Sequence, residues 1–169
     1  MIYDKKNECM SREEMQALQL ERFKAIVKYA YENVPFYKKK YDEAGLQLHW
    51  RVPEEKVELL LDSQKTYRIF ENLFSNIQKY AMPHSRVYID VAEENGQVSV
   101  VVKNMSAEPL NVAAEELTER FVRGDASRNT EGSGLGLAIA KNFTEAQKGS
   151  FEVCVDGDLF KTTLIWKKE

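Results

Sequence analysis

"EGSGLGLAIAK", residues 131–141, places glycines at 132, 134 and 136 and then passes at once into Leu137, Ala138, Ile139 and Ala140. A backbone that bare ahead of a helical pattern points to a phosphate. Glycines let the chain approach an anion closely, and a helix N-terminus offers unpaired N–H groups and a positive dipole end. Two common phosphate loops do not fit. A dinucleotide-binding turn has an apolar strand directly before its glycines, and a P-loop has Lys-Ser or Lys-Thr after them. Here residues 123–130, "RGDASRNT", are polar, and Leu137 follows the last glycine.

Working outward, residues 151–166, "FEVCVDGDLFKTTLIW", are predicted to form a hairpin around Asp156-Gly157. Upstream, residues 86–104, "RVYIDVAEENGQVSVVVKN", are two alternating strands about Asn95-Gly96, the dipeptide that best supports a type I′ turn. Residues 63–81 carry the period of a long amphipathic helix, ended by Pro83. "LHWRV" and "KVELLL" (48–52 and 56–61) read as short β-prone runs, and residues 105–131 as a polar stretch with a short helical piece. Helices over one face of a mixed, largely antiparallel sheet give an α+β, two-layer sandwich.

Residues 1–45 read differently. "SREE" at Ser11 to Glu14 fits a capping box, and Leu20, Phe23, Val27, Ala30 and Tyr31 then form one apolar helical face that wants a partner. Val34-Pro35 ends that helix, and a shorter one around Tyr37 to Ala44 closes at Gly45. The chain is therefore expected to divide near residue 45 into a helical segment (1–45) and an α+β domain (46–169).

Composition narrows the function classes. A net charge of −3 over 169 residues gives no broad basic field for nucleic acid, and Lys38-Lys39-Lys40 reads as a solvated helix end. Cys9 and Cys154 are too few and too far apart for a disulfide framework or a zinc site, and are expected to be reduced thiols. No charged-then-apolar leader opens the sequence, and no run approaches the roughly 18 apolar residues of a membrane span, so a cytoplasmic protein is expected.

In the long helix, "ENLFSNIQKYA" puts Asn72, Asn76, Lys79 and Tyr80 on one stripe, with Leu73, Phe74 and Ile77 free to face the sheet. An amide oxygen is a hard neutral ligand suited to Mg²⁺, which keeps waters and substrate phosphates as its other ligands. Lys79 would meet phosphate as a point charge.

With this stripe and the glycine loop together, residues 46–169 resemble the catalytic ATP-binding domain of sensor histidine kinases. The N box of that family is matched by Asn72, Asn76, Lys79 and Tyr80, its F-box region by Phe121 in "ERFVRGDASR", and its glycine box by Gly132, Gly134, Gly136 and Leu137. The resemblance implies the Bergerat fold of GHKL proteins, with a lid over about 105–131 closing on ATP and Mg²⁺. It also implies Asn76 as the metal ligand and nucleotide contacts from Asn72, Lys79, Tyr80, Phe121, Leu135 and the glycine box. Arg123 and Arg128 are candidate phosphate contacts, with simple solvation of a charged loop as the other reading. The adenine-binding Asp-x-Gly-x-Gly of the family appears here as "NMSAE", with Asn104 for the Asp and Ser106 and Glu108 for the glycines. An Asn oxygen still accepts a hydrogen bond, without the charge that strengthens it. The Gly-Thr of the last hairpin appears only as Lys161-Thr162-Thr163, which makes Thr163 its candidate.

Related ATP hydrolases place a general-base Glu one helical turn before the metal Asn. That position here is Asn72, and the adjacent Glu71 lies about 140° around the helix from Asn76. Transfer to a protein is thus favoured over hydrolysis. Neither His49, in a predicted strand, nor His84, in a loop after Pro83, has the helical setting of a phosphoacceptor, so the acceptor must come from elsewhere. Residues 1–45, especially "ALQLERFKAIVKYAYENVPFYKKKYDEAGL", resemble the N-terminal segment of phenylacetate-CoA ligases, without that family's catalytic residues.

The sequence therefore predicts an ATP-Mg²⁺ domain with no catalytic side chain of its own. It would donate the γ-phosphate to a histidine-bearing dimerisation domain in trans, within a response-regulator system. A homodimer through the N-terminal helix is the further partner expected. A non-catalytic nucleotide-binding or interaction module, or a chimeric remnant, is the alternative.

Overall fold

The computed structural model describes residues 41–53, 57–110, 117 and 134–168. The elements are β1 (Gln47–Arg51), α1 (Ser63–Tyr80), β2 (Arg86–Glu94), β3 (Gln97–Met105), α2 (Gly136–Glu145), β4 (Ser150–Asp156) and β5 (Leu159–Lys167). They build one five-stranded sheet in the order β1-β2-β3-β5-β4. Among the described strands only β1 and β2 run parallel, and α1 lies in the connection between them. The remaining pairs are antiparallel, so the α+β sandwich expected from the sequence is the fold observed.

Strand alternation decides which face is buried. Val87 and Ile89 of β2, Val98, Val100 and Val102 of β3, and Leu164 and Trp166 of β5 point to one face. There they meet Ile69, Leu73, Phe74 and Ile77 of α1 and Ala140 of α2 in a single core. The opposite face carries the intervening residues. Among these, Asp90 bridges Lys103 (2.9 Å) and Arg51 (3.3 Å).

Both hairpins turn on two residues. Asn95 and Gly96 have φ of 51° and 70°, the doubly left-handed signature of the type I′ turn that Asn-Gly favours. The last hairpin is shifted by one residue from the predicted Asp156-Gly157. Asp156 pairs with Leu159, so Gly157 (φ 59°) and Asp158 make the turn. A two-residue turn with glycine first is the other geometry that matches strand twist.

A second difference concerns the "KVELLL" run. Residues 57–62 form no strand, although Leu59 and Leu61 are buried and Leu60 is exposed. The apolar alternation lays one side of this run on the core, and among the described residues no strand pairs with it. It leads straight into Asp62, the N-cap of α1, whose side chain accepts from the N–H groups of Gln64 and Lys65 (both 3.0 Å). The Lys65 side-chain hydrogen bond and then its backbone N–H hold the Asp62 carboxyl below its ordinary value. A depressed folded-state value means the stabilisation is present above the unfolded value of about 4 and is lost as the pH falls through the folded one. Asp62→Ala is expected to cost about 1 kcal/mol at neutral pH. Asp62→Asn keeps the cap and should show a shallower loss of stability on acidification, read from urea midpoints at pH 7 and pH 3. Equal acid sensitivity in wild type and Asp62→Asn would show that the cap charge is irrelevant.

The predicted boundary at 45 has an observation beside it. Residues 41–43 are helical, and Tyr41 is 1% exposed within the same core as α1 and the sheet. Residues 1–40, with the predicted helix and its apolar face, lie outside the described residues, as does most of the predicted lid. Among the described residues, no helix is long and apolar enough to cross a membrane.

Candidate functional site

α1 presents Asn72 and Asn76 on the side away from Phe74, and both are half-buried. The Asn72 amide is oriented by its own helix: Nδ2 donates to the Arg68 carbonyl at 2.7 Å, which leaves Oδ1 to face outward. What it faces is the start of α2. A Cβ added to Gly136 would lie 3.2 Å from Asn72 Oδ1 and 3.4 Å from Asn76 Oδ1. Only a glycine lets the α2 backbone come this close to the two amide oxygens without displacing them.

The helix end that meets these oxygens is open. α1 satisfies its first N–H groups with Asp62, whereas the N-cap position of α2 is Leu135, whose side chain makes no capping bond. Among the described residues, no side chain caps the orphan N–H groups of α2 at its positive dipole end. Gly134, with φ 69°, turns the chain into that helix, and Leu137 packs against the core behind it. Two neutral oxygens beside an uncapped helix start suit a phosphate-bound hard cation. Among the described residues, no group of three or more His, Cys, Asp or Glu could hold a metal by itself.

Further along the stripe, Lys79 is exposed and Tyr80 half-buried, with the Tyr80 carbonyl accepting from Ala107 N–H (2.8 Å). The C-terminal end of α1 is thereby tied to the end of β3. Asn104 sits there at 5% exposure, opposite Val87 on one side and Phe160 on the other. Its Nδ2 donates to the Met105 carbonyl at 3.2 Å, so this amide too is turned by a backbone acceptor. Ser106, buried at the same point, bridges to Ala81 and donates its N–H to the Asp158 carbonyl at 2.7 Å.

Thr163 is not on this face. It pairs with Val101 and Glu152, whereas its neighbour Thr162 pairs with Val102 and shares the inner face with Asn104, Leu164 and Trp166. The sequence made Thr163 the nucleotide-contact candidate of this pair, and it is Thr162 that the strand turns inward. The alternation set by Leu164 and Trp166 was the signal that separates them. Phe121, Arg123, Arg128 and Gly132 lie outside the described residues. Glu71 is ion-paired with Arg68 on the outside of α1. His49 stacks on Tyr88 with centroids 5.3 Å apart, on the outer face of the sheet. His84 has φ 60° and donates its N–H to the Ala44 carbonyl at 3.0 Å.

Comparison with known proteins points to one family. Residues 61–167 match the family described as "Histidine kinase-, DNA gyrase B-, and HSP90-like ATPase". The sensor histidine kinase MtrB of Mycobacterium tuberculosis (strain H37Rv) is 33% identical over 129 residues, 73% of this chain and 22% of its own. The sensor histidine kinase YvrG of Bacillus subtilis (strain 168) is 27% identical over 156 residues, 90% of this chain and 27% of its own. That second match reaches into residues 1–45, and the ligase resemblance expected for that segment is not among these findings. The chain thus spans about a quarter of the length of these curated relatives. Among solved structures, the catalytic domain of the histidine kinase ThkA superposes with a TM-score of 0.70 at 17% identity, covering 83% of this chain and 91% of that one. The chain thus belongs to the family of histidine kinase-, DNA gyrase B- and HSP90-like ATPases, as an ATP-binding catalytic domain of the histidine kinase type.

Proposed function

We propose that this chain binds ATP together with Mg²⁺ where α1 meets α2, and donates the γ-phosphate to a histidine carried on another domain or chain. The observation that carries the reading is the convergence of Asn72 Oδ1 and Asn76 Oδ1 on Gly136. Asn76 would hold the metal, Lys79 would meet phosphate oxygens, and the first N–H groups of α2 would receive a phosphate. Mg²⁺ supplies charge neutralisation on the phosphate oxygens. In the transfer, the bond from the γ-phosphorus to the bridging oxygen breaks as a bond to the acceptor imidazole nitrogen forms. ADP keeps the oxygen and the imidazole N–H proton passes to solvent.

Transfer is favoured over hydrolysis because the general-base position is Asn72, an amide that takes up no proton, and Glu71 is held by Arg68. The settings of His49 and His84 support an acceptor supplied in trans, on a dimerisation domain within a response-regulator system. A cytoplasmic site of action, a homodimer through the apolar face of residues 20–31, a lid over about 105–131 with Phe121, Arg123, Arg128 and Gly132 near the nucleotide, and a ligase-like origin for residues 1–45 complete the reading.

Calorimetric titration with a non-hydrolysable ATP analogue, with and without Mg²⁺, tests it. Wild type should bind more tightly with Mg²⁺, and Asn76→Ala should lose most of that difference while keeping its metal-free affinity. Metal-independent binding in wild type, or an unaltered metal effect in Asn76→Ala, would remove the site assignment.

A further inference from the structure

Behind the asparagine stripe, a buried tyrosine from the opposite side grips the same turn of α1. Tyr41 donates its hydroxyl proton to the Phe74 carbonyl at 2.9 Å, and Tyr41 itself is 1% exposed. Phe74 lies between Asn72 and Asn76 in sequence. At 100° per residue it sits about 180° around the helix from the midpoint of the two amides. That carbonyl already accepts the intrahelical N–H four residues on, so the tyrosine adds a second, external bond at this turn. α1 is thus held between Gly136 in front and Tyr41 behind.

The tyrosine does not float. Leu46 N–H donates to the Tyr41 carbonyl (2.8 Å) and Gly45 N–H to the Asp42 carbonyl (3.0 Å), the paired bonds of a Schellman helix end. That end is fastened in turn to the loop after α1: His84 N–H donates to the Ala44 carbonyl and Gln47 N–H to the Ser85 carbonyl, both at 3.0 Å. The loop is fixed to β3 through Met82 N–H and the Met105 carbonyl (2.8 Å). Residues 41–47 therefore bear on the middle of α1 directly and on its C-terminal end through residues 82–85.

We propose that Tyr41 is a positioning residue for metal-nucleotide binding, which seats α1 from behind so that the Asn72 and Asn76 oxygens stay against Gly136. The inference rests on the ATP-Mg²⁺ reading of that junction. Tyr41 is also the first of the described residues.

Tyr41→Phe in the full chain keeps the ring and removes the bond. Its affinity for a non-hydrolysable ATP analogue in the presence of Mg²⁺ should fall about three- to tenfold, the worth of one hydrogen bond. Without Mg²⁺ its affinity should match wild type, since only the metal-bearing turn is released. Tyr88→Phe, which loses a hydroxyl on the far face of the sheet, should change neither. A purely structural tyrosine would lower the melting temperature with both affinities unchanged, or weaken both equally, and either result overturns the proposal. A wild type without any Mg²⁺ effect would instead bring down the nucleotide reading, and this inference with it.

Discussion

Gly136→Val is expected to weaken Mg²⁺-dependent nucleotide binding by one to two orders of magnitude, about 10- to 100-fold, in a protein that still folds. The Cβ alone would stand 3.2 Å and 3.4 Å from the two amide oxygens of α1, closer than such contacts normally run. Alanine therefore asks the asparagines to give by a few tenths of an ångström, and the branched methyls of valine ask for more. α1 has little room to retreat, since its other side is buried against the core through Leu73, Phe74 and Ile77. The oxygens must turn instead, and the loss should be about 10- to 100-fold in metal-dependent affinity, the range for mis-set ligands. Circular dichroism should report an unchanged helix and sheet content, because Gly136 is the first residue of α2 and no core contact depends on its side chain. Full Mg²⁺-dependent affinity in Gly136→Val would place the metal elsewhere.

Leu164→Ala is the largest stability change expected. Leu164 is wholly buried on β5, an internal strand of the sheet, and it faces Val100 of β3 and Phe151 of β4. Truncation leaves a cavity that two paired strands cannot close, at a cost of about 2–5 kcal/mol. For a chain of this size that is a fall in melting temperature on the order of 10 °C. Thr163→Ala, one residue away on the other face, should stay within about 0.5–1 kcal/mol. A larger effect at Thr163 than at Leu164 would mean that the strand sits one residue out of register.

The local chemistry of this chain was legible wherever it was decided by neighbours in sequence. Asn95-Gly96 announces its turn because few residues tolerate two successive left-handed conformations, and the long helix announces itself by period and by Pro83. The run at 56–61 misled because alternation reports burial of one side of an extended chain, not the presence of a strand to pair with. Likewise Asp156-Gly157 looks like a turn, but the register of β4 on β5 moves the bend on by one residue. The expected division at 45 was drawn where composition changes, and composition does not reveal that Tyr41 is buried with α1. At the candidate site, the residue types of Asn72, Asn76 and the glycine box could be read as a stripe and a loop. Spacing alone could not bring Asn76 to Gly136, because that meeting is made by tertiary packing. The faces of Thr162 and Thr163 were not legible in the motif as a string, because the two-residue repeat of the strand that carries it decides which of them turns inward.

Two tight hairpins also set an order of assembly. Glu94 faces Gln97 and Asp156 faces Leu159, so β2 with β3, and β4 with β5, can zip up over microseconds around two-residue loops. The seam between them is of another kind: it pairs Val98 with Trp166 across everything in between, and high-separation pairings of this sort slow folding. α1 belongs to the first half of the chain and α2 to the second, so the junction of Asn72, Asn76 and Gly136 does not exist until that seam has closed. A nucleotide that binds there arrives after the transition state, and so it should lengthen the lifetime of the native molecule while leaving its rate of formation untouched.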